Sequence, residues 1–400
     1  MLSLVSALTM GVGAMWPHAT PAGLTPHAAR HIAARRATPA SVVPSGFVTR
    51  SGAQLELDGR PLRLVGVNAY ELATLWSVNK GCGGQIDDLG ALFASLPPHS
   101  VVRFWAYQAQ AVDWRAGTID FGPIDRVVAA AAAHHDELIV TLSDQSGTCD
   151  DGHWHDQAWY DGGYKKVWND DGRGLDHLSF SDWMKLIVSR YKGSPAVGMW
   201  ELVNEPEASD CAPGFHGSAC YGHLTCPPGA ARSLRSFFDT VGAELERIDP
   251  RHLLASGAIG GGQCGMAGPD FSYVNASPAV DVLTYHDYGA DGQAMPTPLA
   301  EDLAAARALH KPLVDEEVGV TASGTGGACR GLSSRGQLLD AKLEAAFDAG
   351  AAGFLPWDWA DAGTGGCDYY LLPRDPYLRG LGRAAELATA GLTVPRVVRT

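Results

Sequence analysis

The stretch Val197-Gly-Met-Trp-Glu-Leu-Val-Asn-Glu-Pro206 decides how the rest of this chain is interpreted. Met199–Val203 is apolar except for one charge. It predicts a strand buried on both faces, like those of a parallel sheet covered by helices. Pro206 cannot extend the hydrogen-bonded ladder, so Asn204 and Glu205 should lie at the carboxyl end of the strand, facing a cleft. The alternative is a glutamate that caps a helix or lies in an ordinary loop.

A second stretch, Lys311-Pro-Leu-Val-Asp-Glu-Glu-Val-Gly-Val320, has a similar arrangement. A short apolar strand is followed by acids and then by glycine. Two strands of one parallel barrel would bring their carboxylates to the same face. A pair of carboxylates on either side of one bond is what glycoside hydrolysis requires. With these motifs the chain resembles the retaining glycoside hydrolases of family 5, and the resemblance is strongest to the β-mannanase branch.

The resemblance implies roles for two glutamates. Glu205, after the fourth strand, would be the acid/base, and Glu317, after the seventh strand, would be the nucleophile. Glu317 is preferred to Glu316 because the family's nucleophile stands two residues before a glycine, here Gly319. Val318 replaces the aromatic residue usual in the family, a departure that leaves the chemistry untouched.

Two further motifs would support these acids. Val102-Arg103-Phe-Trp105 ends the second predicted strand, and the resemblance makes Arg103 the partner that holds the nucleophile ionised. The alternative is a surface arginine. Tyr285-His286-Asp-Tyr288 follows the sixth predicted strand and matches the family's His-x-Tyr. His286 would contact the substrate or the acid/base, and the Tyr288 hydroxyl would orient the nucleophile; a purely structural histidine is the alternative.

Several residues are candidates for sugar binding. Trp357 ends the eighth predicted strand and would be a stacking platform for a pyranose, with Trp105 lining a neighbouring subsite. Asn204 would bind the 2-hydroxyl of the substrate. The third strand departs from the family, since Asp144-Gln145 replaces His-Asn or Asn-Asn, which makes the substrate less certain. Three more tryptophans could equally line outer sugar subsites or pack in the core, namely Trp76, Trp154 and Trp159.

The remaining pattern predicts a single (β/α)8 TIM barrel. An Asp58-Gly59 turn indicates an N-terminal β-hairpin that plugs the barrel floor. From Leu62 onward, short apolar runs alternate with amphipathic helical segments. The eight predicted strands are Leu62–Val67, Val101–Trp105, Leu138–Leu142, Met199–Val203, His252–Ser256, Val280–Thr284, Leu313–Asp315 and Gly353–Trp357.

Charge and cysteine content limit the partners. The net charge of −14 over 400 residues argues against nucleic acid and anionic membranes. All eight cysteines fall after predicted strands, in loops that would crown the catalytic face. We expect most of them to form disulfides that staple these loops, as in an exported protein. Because no Cys-x-x-Cys pair occurs, a zinc site is disfavoured.

The first 46 residues predict a signal peptide and an unstructured leader, followed by a catalytic domain over residues 47–400. Residues 2–16 are apolar but too short for a membrane span of ~20 residues. The segment Asp150-Asp-Gly-His-Trp-His-Asp156 has the composition of a metal site, but a solvated loop explains it as well. We expect no metal or cofactor, no membrane association after signal removal, and a monomer.

These observations predict a secreted retaining β-glycosidase acting on a β-linked polysaccharide or oligosaccharide. An endo-β-1,4-mannanase fits the motifs best. The alternatives are another β-glycan hydrolase, such as a glucanase or an exo-β-mannosidase, and a carbohydrate-binding barrel without catalysis.

Overall fold

The computed structural model describes residues 46–169, 177–289, 293–323, 329–361, 363, 366–373 and 375–389. The predicted signal peptide and leader, apart from Gly46, lie outside these ranges. Eight parallel strands follow one another in the order expected for a barrel. They are Leu64–Asn68, Val101–Trp105, Glu137–Thr141, Val197–Glu201, Leu253–Ala255, Leu283–Asp287, Leu313–Gly319 and Gly353–Trp357.

Strand pairing confirms the predicted (β/α)8 barrel. Numbered along the chain, the hydrogen-bonded neighbours are 5-4-3-2-1-8-7-6. An isolated parallel bridge between Ala255 and Val282 joins the fifth strand to the start of the sixth, so the ring is nearly closed. The carboxyl ends of all eight strands therefore meet at one face, where barrel enzymes place their active sites.

Helices surround the barrel. The described α-helices are Leu89–Ala94, Gly122–His134, Gln157–Tyr160, Phe180–Tyr191, Ala230–Phe237, Ala243–Ile248, Pro269–Asn275, Thr297–Leu309, Leu332–Asp348 and Pro376–Thr389. A π-helical turn, Phe238–Gly242, lies between the helices Ala230–Phe237 and Ala243–Ile248. No helix in the described ranges has both the length and the apolar character needed to cross a bilayer.

The N-terminal hairpin occupies the barrel floor, as predicted. Its strands are Val48–Ser51, Gln54–Leu57 and Arg60–Leu62, with Asp58 and Gly59 both at positive φ in the turn. Val48 and Leu55 are fully buried in a cluster that also contains the starts of the barrel strands. The hairpin thus closes the end of the barrel opposite the site.

Two strands extend further towards the cleft than predicted, whereas the fourth ends at Glu201, two residues before the predicted Val203. The sixth runs over Leu283–Asp287, three residues later than predicted, so His286 lies within the strand and not after it. The seventh continues from Leu313 to Gly319, so Glu316 and Glu317 also lie within a strand. In both of these longer strands, polar residues lie near the carboxyl end. The apolar run from which the strand was predicted therefore stops before the hydrogen-bonded ladder does.

All eight cysteines are paired, as expected. Cys82–Cys149 links the loops after the first and third strands, and Cys211–Cys220 closes a hairpin after the fourth. Cys226–Cys264 and Cys329–Cys367 join the loops after strands four and five and after strands seven and eight. The four disulfides therefore staple the loops of the catalytic face.

Candidate active site

Arg103 lies at the centre of the site and is fully buried. Its guanidinium donates to Glu317 Oε1 at 2.5 Å and to Asn204 Oδ1 at 2.6 Å. It also forms a fork on Glu201, at 2.6 Å and 3.2 Å. Burial alone would lower the pKa of Arg103, but the charges of Glu201 and Glu317 raise it, so the side chain is a permanent cation.

Glu317 is held from two sides. Tyr288 donates its hydroxyl to Glu317 Oε2 at 2.7 Å, while Arg103 bonds the other oxygen. Burial raises the pKa of Glu317, and the positive charges of His286 and Arg103 and the bond from Tyr288 oppose that rise. The carboxylate is therefore fixed in orientation, and its ionised form is stabilised by three separate contacts.

A register irregularity in the seventh strand explains how two adjacent glutamates reach the same cluster. Successive side chains of a regular strand point to opposite faces. The pairing with the eighth strand shifts between Asp315 and Val318. Because such a bulge re-aims side chains, Glu316 and Glu317 both contact the ring of His286.

Glu205 follows the fourth strand in a left-handed backbone conformation, with φ of 54°. A non-glycine residue in this region is uncommon, and such residues cluster at functional sites. The Glu205 N–H donates to the carbonyl of Gly257 at 2.8 Å. A Cβ on Gly257 would lie 2.1 Å from the Val203 carbonyl oxygen, so this close approach requires glycine.

His286 connects the two proposed catalytic acids. Its Nδ1 lies 2.8 Å from Glu205 Oε1 and 3.4 Å from Glu317 Oε2. One ring nitrogen of His286 and one carboxylate oxygen from each of Glu205 and Glu317 all lie within 4.8 Å of one another. That distance is shorter than the ~6.5–9.5 Å between the carboxyl groups of inverting glycosidases and is compatible with the ~5–5.5 Å of retaining ones.

The amide of Asn204 is oriented by its neighbours. Its oxygen accepts from Arg103, and its nitrogen donates to Asp144 Oδ1 at 2.9 Å. Asp144 is in turn bonded by the Ser146 hydroxyl. Since an amide nitrogen carries two hydrogens, one N–H of Asn204 remains for a substrate hydroxyl. Gln145, by contrast, is buried and bonds the Tyr160 hydroxyl, so it belongs to the scaffold.

Aromatic rings form a wall beside the acids. Trp357 stacks on Tyr70 with centroids 5.3 Å apart and an interplanar angle of 9°. Trp105 lies 4.6 Å from Tyr70 and 6.0 Å from Trp357. Trp357 and Trp105 both remain partly exposed, so this wall offers ring surface to a sugar.

The other candidate tryptophans divide clearly. Trp76 is 47% exposed, whereas Trp154 and Trp159 are buried in the protein. Trp154 donates to the Ser209 carbonyl and Trp159 stacks on His155. Trp76 alone of these three remains available at the surface.

The chain was compared with known proteins. No protein-family model matches the sequence. The chain is 28% identical over 324 residues to a probable mannan endo-1,4-β-mannosidase C of Aspergillus terreus, covering 69% of this chain and 74% of that one. In two other Aspergillus relatives the match spans 60% of their length. The fold is similar to the endo-1,4-β-mannanase of Rhizomucor miehei, with a TM-score of 0.62, 21% identity, and coverage of 86% of this chain and 99% of that one.

A family 5 mannosidase from Rhizomucor miehei is also similar, with a TM-score of 0.56, 14% identity, and coverage of 85% of this chain and 97% of that one. These matches together support assignment to the mannanase branch of glycoside hydrolase family 5. In this barrel, the structure brings all eight predicted site residues to the catalytic face. Six of them form one cluster of hydrogen bonds and ion pairs, namely Arg103, Asn204, Glu205, His286, Tyr288 and Glu317. Trp105 and Trp357 lie in the aromatic wall.

Three residues of this site were not predicted from the sequence. Glu201 shares Arg103 with Glu317, and burial raises its pKa to about 7 against the opposing charge of Arg103. Asn68 bonds Arg103 at 3.2 Å, and Tyr70 supports Trp357. Only Glu201 left a signal, as the single charge within an apolar strand.

Among the described residues, two groups have the composition of a metal site. The first is Glu205, His286 and Glu317, but the pKa of His286 is raised to about 10, and a protonated imidazole is not a metal ligand. The second is the segment 150–156. Its interpretation as a solvated loop is wrong, because Asp150, Asp151 and His155 are buried. Asp150 accepts from the Ser143 hydroxyl at 2.6 Å, and Asp151 from the His153 N–H at 2.8 Å.

Proposed function

We propose that this protein is an endo-β-1,4-mannanase that cleaves its substrate with retention, with Glu205 as acid/base and Glu317 as nucleophile. The observation that carries the proposal is the placement of Glu317. Arg103 and Tyr288 hold its two oxygens at 2.5 Å and 2.7 Å, and a Glu205 oxygen lies within 4.8 Å of one of its own.

Each residue has a role in a double displacement. Glu205 protonates the glycosidic oxygen while Glu317 attacks the anomeric carbon and forms a covalent glycosyl-enzyme. Glu205 then removes a proton from the water that releases the sugar. Arg103 and Tyr288 keep the nucleophile ionised and correctly aimed.

The substrate assignment rests on the hydroxyl that distinguishes mannose from glucose. The two sugars differ at the 2-position, where the mannose hydroxyl is axial. The remaining N–H of Asn204 would donate to that hydroxyl, and the bond from Asn204 Nδ2 to Asp144 Oδ1 fixes its direction. A site built to bond one hydroxyl can reject the wrong epimer strongly, since its own polar groups would be left unpaired. The relatives named as mannan endo-1,4-β-mannosidases support the same choice.

Export of the mature catalytic domain as a monomer is part of this proposal. Four disulfides on the catalytic face support export, because such bonds persist in oxidising compartments.

A panel of mannan, glucomannan, cellulose and xylan, with sizing of the early products, tests the activity. We expect faster hydrolysis of mannan or glucomannan than of cellulose, and a ladder of oligosaccharides in the first minutes. Monosaccharide alone would refute endo action, and a preference for pure β-glucan would refute the mannan assignment. Sugar binding without turnover of any aryl β-glycoside would favour the non-catalytic alternative.

A further inference from the structure

Glu316 is a buried acid that the reaction above does not use. It is fully buried beside the proposed nucleophile. A regular strand would turn it away from Glu317, but the register shift after Asp315 brings it to the same imidazole ring. Bulges next to active sites commonly re-aim a side chain, so the position of Glu316 calls for a functional explanation.

His286 spans the distance between Glu316 and the proposed acid/base. Its Nε2 lies 3.3 Å from Glu316 Oε1, and its Nδ1 lies 2.8 Å from Glu205 Oε1. Burial alone would lower the pKa of His286, but the charge of Glu317 and the bonds to Glu205 and Glu316 raise it to about 10. The ring is therefore an imidazolium near neutral pH, with both N–H groups donating.

An uncompensated imidazolium would impair a general acid. A positive charge beside a carboxyl favours its ionised form, whereas a general acid must hold its proton before the first step. The Nδ1 of His286 lies 2.8 Å from Glu205 Oε1. The carboxyl of Glu316 lies at the opposite edge of the same ring. Its second oxygen has no hydrogen-bond partner among the described residues and lies 3.9 Å from Arg103 Nε.

The charged and titratable groups around this ring come from three other strand segments and the ring's own strand. They are Arg103 on the second strand, Glu201 and Glu205 on and after the fourth, Asp315, Glu316 and Glu317 on the seventh, and Tyr288 after the sixth. Among the described residues, Glu316 is the one whose carboxylate bonds Nε2.

We propose that Glu316 is a positioning residue for the acid/base, acting through His286. It accepts the Nε2–H bond, which fixes the ring, and it neutralises the imidazolium, so that Glu205 can hold the proton it delivers. This inference rests on the proposed role of Glu205. It assigns Glu316 to the proton-donating step and leaves nucleophilic attack to Glu317.

The test is Glu316→Gln, which keeps the shape and one acceptor oxygen but removes the charge. We expect kcat/KM on mannan to fall about tenfold and the alkaline limb of its pH profile to move down by about one pH unit, since one opposite charge at this range shifts ionisation by at least that much. A dinitrophenyl β-mannoside needs no protonation of its leaving group, so its rate should fall less than about threefold. Glu316→Asp, which keeps the charge, should partly restore the limb.

Asp315→Asn is the matched control. Burial raises the pKa of Asp315 well above its usual range, so the amide replaces an uncharged carboxyl on the same strand that makes no hydrogen bond to His286. It should leave the alkaline limb and the leaving-group dependence unchanged. The inference would be overturned if Glu316→Gln lost equal activity on both substrates with an unmoved alkaline limb, or lost no activity on either. In both cases, turnover by the wild-type protein would still uphold the proposed function. Wild-type protein inactive on both substrates would overturn both.

A measurement on the unaltered protein keeps the inference testable if the variant does not fold. With 15N-labelled histidine, His286 should show two protected ring N–H signals near neutral pH. A ring that carries a single proton there would overturn charge compensation by Glu316.

Discussion

Tyr288→Phe isolates the support that the site gives to Glu317. The substitution removes only a hydroxyl, which donates to Glu317 Oε2 at 2.7 Å. The ring should stay in place, because it packs so closely over Gly319 that a Cβ there would lie 2.3 Å from its carbons. A hydrogen bond to a charged group contributes about 1.5–3 kcal/mol. At about 1.4 kcal/mol per tenfold, its loss should lower kcat/KM by about 10- to 150-fold.

The same substitution has a predicted sign in the pH profile. The bond from Tyr288 lowers the pKa of Glu317 against the rise caused by burial. Without it, that pKa rises further, so the acidic limb of kcat/KM should move to higher pH, by about one to two units if the full bond energy is lost. Activity at low pH would therefore fall more than activity at neutral pH.

The assay is the initial rate on mannan from about pH 4 to about pH 9, with thermal melting measured in parallel. Tyr285→Phe is the matched control, since Tyr285 lies on the strand that leads into Tyr288 and its ring packs against Gly260. Full activity of Tyr288→Phe with an unmoved acidic limb would refute the reasoning. So would an equal loss in Tyr285→Phe.

Three further predictions concern the adjacent glutamates, Glu137 and the cysteines. Glu317→Ala should lose almost all turnover and Glu316→Ala should keep far more; the reverse order would make Glu316 the nucleophile. Burial raises the pKa of Glu137 to about 8. The contribution of the protonated carboxyl to folding stability is therefore fully present below about pH 4 and is lost as pH rises through about 8. Glu137→Gln should therefore raise Tm by about 2–4 °C at about pH 8.5 and hardly at all at about pH 4, and an equal gain at both would contradict this. Thiol titration of unfolded, unreduced protein should find no free cysteine, whereas eight free thiols would disprove the disulfides.

The barrel was predictable because its information is local. Each strand is a short apolar run, and Asp58-Gly59 specifies a turn whatever surrounds it. Val101–Trp105 and Gly353–Trp357 were predicted with their observed bounds. Cysteine positions after strand ends likewise indicated stapled loops, although their pairing depends on which loops meet in space.

The inner part of the site was not predictable in the same way. A bulge depends on how two strands pair, so the sequence Asp315-Glu-Glu317 does not reveal that both glutamates reach His286. Polar residues at the end of the sixth strand hid its true extent. The burial of Asp150 and Asp151 depends on partners such as Ser143 that only the folded chain brings near them.

Trapping the covalent intermediate tests the central claim most directly. A 2-deoxy-2-fluoro mannosyl donor with a good leaving group should form the glycosyl-enzyme and slow its breakdown. Peptide mapping by mass spectrometry should then place one fluorosugar on Glu317. A label on Glu316, or turnover of the reagent without any labelled peptide, would contradict the mechanism.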